Sequence, residues 1–94
     1  MLEFEDLGTT CPEQYDVMRN GQRIAYVRLR HGNYTVECPD VGGETVLSML
    51  VPNHAGNFSD ENKDFYLKLA AEVIVTWLND RQNIVTSAEY EVIK

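Results

Sequence analysis

Ninety-four residues with 44% apolar side chains are enough for one domain with a single core and no disulfide staples, and no apolar run is long enough to span a bilayer. A net charge of −7 sets the chain apart from general nucleic-acid binders, whose phosphate affinity comes from excess Lys and Arg. The acidic start Met1-Leu2-Glu3-Phe4-Glu5-Asp6 lacks the basic and apolar segments of a secretory signal, so the expected setting is the cytoplasm, with no membrane partner.

Residues 1–13 read as an N-terminal arm or edge strand, in which Leu2 and Phe4 alternate with Glu3 and Glu5. Residues 14–51 carry the sheet. Asn20-Gly21 is the strongest short hairpin signal, because a type I′ turn needs positive φ at both central residues. Gly32-Asn33 reads as a second two-residue turn. Together these turns set Val17 opposite Ile24 and Tyr15 opposite Tyr26, then Leu29 opposite Val36, Val27 opposite Cys38 and Arg28 opposite Glu37. The expected core face is Ala25, Val27, Leu29, Val36, Cys38 and Met18. The opposite face would gather Ile24, Tyr26, Arg28 and Arg30 with Tyr15, Val17, Arg19, Thr35 and Glu37.

Pro39–Gly43 reads as a turn; its double glycine lacks the Lys-Ser/Thr that would follow in a phosphate loop. Glu44–Val51 is a fourth strand, apolar on both sides, for which cover on both sides is expected. Residues 52–59 form a loop that includes His54. A helix is predicted over 60–81, capped by Ser59 or Asp60 and with acids in its first turn. Its apolar surface is broader than one sheet contact requires. Wrapping by the terminal segments is preferred to a homodimer as the cover, so a monomer is favoured. The tail, 84–94, reads as a terminal strand in which Tyr90 and Val92 alternate with Glu89, Glu91 and Ile93, or as a helical turn at Ser87–Tyr90. The fold class is therefore α+β: an antiparallel meander of four or five strands with one long helix on the Ala25/Val27/Leu29 face, in a single domain spanning 1–94.

Catalytic signals are thin. Cys11, Cys38, His31 and His54 include no pair at zinc-ligand spacing, so neither a metal nor a cofactor is expected. No serine or histidine sits in a hydrolase motif. Cys38 and His31 are the best enzymatic candidates, and the chain is read as a non-enzyme. The charge pattern is more informative. Arg19, Arg23, Arg28 and Arg30 are half of the eight basic residues, all within the first hairpins of an acidic chain. Tyr15, Arg19, Tyr26, Arg28 and Arg30 are accordingly the candidate interaction face, since Tyr and Arg are enriched at binding hot spots. Docking on another protein is the preferred use. Single-stranded nucleic acid held by stacking and arginine contacts is the second reading, and a purely structural face is the third.

Glu13-Gln14-Tyr15-Asp16-Val17, Gly21, Tyr26-Val27-Arg28-Leu29-Arg30-His31-Gly32, Val36-Glu37-Cys38-Pro39-Asp40 and Gly43-Glu44-Thr45-Val46 together resemble small uncharacterised proteins carried by phages and prophages of Gram-positive bacteria. The likeness covers residues 13–46. It implies a bacterial cytoplasmic setting and an accessory role, such as modulating a host protein. It supplies no catalytic or binding residues.

Overall fold

The computed structural model describes residues 1–8, 12–52 and 58–93; Cys11 and His54, singled out above, lie outside them. Seven elements follow in order: β1 (Leu2–Asp6), β2 (Glu13–Arg19), β3 (Gln22–Arg30), β4 (Asn33–Cys38), β5 (Glu44–Leu50), α1 (Asp60–Asp80) and β6 (Tyr90–Ile93). The strands form one six-stranded sheet in the order β5-β4-β3-β2-β1-β6, with α1 packed on one face. The architecture is α+β as predicted, with more strands. The meander from β1 to β5 is antiparallel, while β6 joins β1 in parallel and makes the sheet mixed. The tail is thus a strand. It also turns β1 from the expected arm or edge into an inner strand.

Both hairpin turns have the backbone that type I′ demands. Asn20 and Gly21 have φ of 53° and 77°. At the second turn the central residues are His31 and Gly32, with φ of 52° and 76°, and Arg30 faces Asn33. The loop therefore lies one residue earlier than Gly32-Asn33. Each partner in β4 moves by two, so Leu29 faces Tyr34, Val27 faces Val36, Arg28 faces Thr35 and Tyr26 faces Glu37. An even shift leaves every side chain on its expected side.

The β2–β3 ladder departs more sharply. Arg19 faces Gln22 and Met18 faces Arg23, as the turn requires. A bulge then gives β3 an extra residue, so that Val17 faces Ala25 and Tyr15 faces Val27. One extra residue exchanges the two sides of a strand relative to its partner. Tyr15 and Val17 therefore belong to the core, 1% and 0% exposed, while Met18 leaves it. The physical reason is burial. Without the bulge, Asp16 and Gln14 would sit opposite Ala25 and Val27 inside the core, and a buried unpaired polar group costs about 1–3 kcal/mol.

The core is one cluster between sheet and helix. Leu2, Phe4, Tyr15, Val17, Ala25, Val27, Leu29, Tyr34, Val36 and Cys38 meet Leu67, Ala70, Ala71, Ile74 and Leu78. The helix lies over the β3–β5 side. Ser59 has the extended backbone of an N-cap, and Asp60 and Glu61 occupy the first turn, where the dipole favours acids. At the other end Gln82 takes a left-handed φ of 61°; its N–H donates to Asn79 and that of Asn83 to Leu78. Part of the helix flank is wrapped by the tail, with Val85 buried and the Tyr90 hydroxyl donating to Asp64.

Among the described residues, one charged group enters this core. Glu13 is 6% exposed and accepts from the Tyr15 hydroxyl and from the Phe58 N–H at 2.9 Å, with Lys63 Nζ at 3.4 Å. It clasps β2 to the helix entry.

Candidate functional site

The helix covers one face of the sheet, and no described element covers the other. Strand alternation and the pairing register lay that open face out as rows. One row runs Ile93, Glu5, Asp16, Tyr26, Glu37, Thr45 from β6 to β5. The next carries Gln14, Arg28, Thr35 and Ser48, and the third Arg30, Asn33 and Leu50. On the other side of the Tyr26 row lie Glu91, Glu3, Met18 and Arg23.

A buried tyrosine and a half-buried arginine form the centre. Tyr26 is 9% exposed, and its hydroxyl donates to Gln14 Oε1 across the strand pair. Burial pushes that hydroxyl's pKa up, against the opposing pull of the Arg28 guanidinium. Arg28 is half-buried, and its Nε is shielded with no hydrogen-bond partner among the described residues. An orphaned buried donor is uncommon in a native fold. Arg30, one row on, is exposed.

Acids surround these arginines. Arg23 bridges Asp16 and Asp40, both at 3.1 Å. Asp40 is held below the usual carboxylate range, first by the Val41 N–H and then by Arg23. Glu3, Glu5 and Glu37 are half-buried on the same face. The carboxylates of Glu3, Glu5, Asp16, Glu37 and Glu91 thus outnumber the guanidiniums of Arg23, Arg28 and Arg30.

The five residues singled out from the sequence do not share a surface. Tyr26, Arg28 and Arg30 stand together on the open face. Tyr15 is in the core, where burial and then its bond to Glu13 raise its pKa. Arg19, at the end of β2 on the helix side, donates to Asn83 Oδ1 at 3.4 Å. Glu37 stands on this face as expected, whereas Glu5 and Asp16, which continue its acidic row, are not among the residues expected there from the sequence. The signal was present: Gln14 and Asp16 alternate with Tyr15 and Val17, and the polar pair belongs outside.

The enzymatic candidates fare differently. Cys38 is fully buried on the helix side, and burial pushes its thiol up to about 12, which leaves little thiolate for nucleophilic work. His31 sits in the β3–β4 turn, at the far end of β4 from Cys38, a separation of roughly 15–20 Å along an extended strand. Among the described residues no group of three His, Cys, Asp or Glu side chains is arranged to hold a metal. Nor is any helix there long and apolar enough to cross a membrane. Two shallow clefts flank the helix. One, of about 530 Å³, lies beside β6 and is lined by Asp64, Lys68 and Tyr90. The other, of about 360 Å³, lies beside β5, where Arg81 stacks over Trp77 at 4.0 Å and pairs with Glu44 at 2.9 Å.

No family model, curated protein or solved structure matches the chain.

Proposed function

We propose that this is a small non-enzymatic accessory protein that binds another protein through the open face of its sheet. The observation that carries the reading is the make-up of that face. Tyr26 packs at its centre beside Arg28, whose Nε is shielded with no hydrogen-bond partner among the described residues, and half-buried carboxylates ring them. Aromatic and guanidinium groups inside a rim that is partly shielded from water form the pattern of an interaction hot spot. An acidic ring on an acidic protein suits a partner with a basic surface, which long-range attraction would also steer into place.

The same make-up weakens the single-stranded nucleic-acid reading. That reading needs at least two exposed aromatics beside the arginines and an excess of positive charge. Tyr15 has left the face, and the acids outnumber the arginines. The buried, high-pKa Cys38 supports a role without nucleophilic catalysis. The resemblance of residues 13–46 to phage-borne proteins makes a host protein in the bacterial cytoplasm the partner of choice.

The test is affinity capture from a bacterial lysate with the wild-type chain, an Arg28→Ala/Arg30→Ala variant and a Glu5→Lys/Glu37→Lys variant. The reading predicts a protein retained by the wild type, insensitive to nuclease and lost from both variants. Retention that nuclease abolishes, or that neither variant affects, contradicts it.

A further inference from the structure

The two edges of the sheet are not alike. At one edge, β6 is four residues long, with Glu91 in its middle and Glu89 directly before it. Short length and like charge are common protections against edge-to-edge pairing. At the other edge, β5 runs for seven residues and carries no charge from Thr45 to Leu50. Its Leu50 is 75% exposed, the highest among the exposed large apolar side chains of the described residues. A bulge at Val46 twists only the start of the strand, opposite Val36 and Glu37.

The direction of the backbone groups on this edge follows from the ladder. Val51 N–H donates inward to Gly32 O at 2.8 Å, and Asn33 faces Leu50. Inward and outward groups alternate along an antiparallel strand. The N–H and C=O of Ser48 and of Leu50 therefore point away from β4, and both residues are exposed. Pro52, next in the alternation, has no N–H to offer and closes the series.

We infer that β5 pairs with β5 of a second copy, antiparallel about a two-fold axis centred on Met49. This register places Ser48 opposite the second copy's Leu50, and Leu50 opposite its Ser48. Each outward N–H then meets an outward C=O, and the pairing uses only the straight part of the strand beyond the bulge. Met49 meets Met49 of the second copy on the helix side, and Leu47 meets Val51. Nothing charged faces a like charge, which is the condition for a strand to accept its own copy. The sheet becomes continuous through both chains. Because the axis stands perpendicular to the sheet, both open faces lie on the same side and present two Tyr26/Arg28 centres to one partner. This assembly goes beyond the partner reading and does not depend on it. It reverses the expectation of a monomer.

The test is sedimentation equilibrium of the full chain, paired with amide exchange. At about 100 μM, where contacts of micromolar strength are saturated, the wild type is expected at twice its 10.7 kDa chain mass. The Ser48 and Leu50 amides are expected to exchange faster on dilution. Leu50→Lys removes the cross-strand Leu50/Ser48 contact from each half and sets a cation on the new seam; it is expected to weaken dimerisation about 10-fold or more. Ser48→Pro, which deletes an outward N–H that a monomer does not use, should do the same. Ile84→Lys, at an exposed apolar residue away from β5, should leave the dimer intact. A single-chain mass for the wild type at that concentration overturns the inference. So does a dimer that survives both β5 variants, that Arg28→Ala dissociates, or whose Ser48 and Leu50 amides exchange at a rate independent of concentration.

Discussion

Glu13→Ala probes the one carboxylate that the core admits among the described residues. In the native fold Glu13 accepts from the Tyr15 hydroxyl and from the Phe58 N–H, and both bonds are buried. Truncation deprives both donors of this acceptor, at about 1–2 kcal/mol each. The ion pair to Lys63 adds little, because Lys63 is 38% exposed and solvent screens the pair, to about 0.5 kcal/mol or less. The expected loss is therefore about 3 kcal/mol, which for a chain of this size lowers Tm by about 12–24 °C. Glu13→Gln keeps an acceptor oxygen in place and should cost about 1 kcal/mol. Urea denaturation followed by far-ultraviolet circular dichroism, with Trp77 fluorescence as a second probe, measures both. If Glu13→Ala costs less than about 0.5 kcal/mol, Glu13 does not clasp β2 to the helix entry, and the reasoning fails.

Three further outcomes follow from single features. A Cβ on Gly43 would lie 2.4 Å from the Cys38 carbonyl oxygen and 2.9 Å from that of Asp40, both backbone atoms; Gly43→Ala should cost about 1–3 kcal/mol by forcing the β4–β5 turn apart, measurable in the same denaturation assay. Ser59 sits at the N-cap but makes no side-chain cap bond, so Ser59→Ala should cost under about 0.5 kcal/mol, below the usual loss for a capping serine. Burial raises the hydroxyls of Tyr15, Tyr26, Tyr34 and Tyr90 above their ordinary 10.0 and the Cys38 thiol from 9.0 to about 12. The folded chain thus holds these protons where the unfolded chain releases them, so the stabilisation is full below pH 9 and is lost as pH rises from there towards 12. Denaturation midpoints should fall across that window, and the absorbance of ionised tyrosine should rise together with unfolding; flat stability across it would contradict the burial of these groups.

The sequence made local features legible and the long-range register only in part. The α1 boundaries, the Asn20-Gly21 turn and the inward set Ala25, Val27 and Leu29 of β3 follow from caps, Asn-Gly chemistry and apolar alternation. The bulge opposite Val17 and Met18 is a tertiary choice. Turn geometry alone assigns β2 the wrong side, and only the cost of burying Gln14 and Asp16 corrects it. That correction decides the candidate site, because it takes Tyr15 off the open face and puts Asp16 on it. The shift of the second turn to His31-Gly32 escaped because histidine accepts a left-handed backbone less commonly than glycine, yet it left the faces unchanged. The parallel partnership of β6 with β1 carries no local signal, since parallel neighbours are set by chain return and not by a turn. The burial of Glu13 has no local signal either, because nothing nearby in sequence announces Phe58 and Lys63 as its partners.

The claim that the open sheet face is the working surface is tested most directly by site-specific photo-crosslinking in a bacterial lysate. A photoreactive side chain replaces Thr35 at the centre of the open face in one variant, and exposed Phe65 on the outer side of α1 in the other. The account predicts a protein adduct from position 35 that resists nuclease, vanishes when Arg28→Ala is added, and does not form from position 65. Adducts from position 65 alone, or a position-35 adduct that nuclease removes, would contradict it.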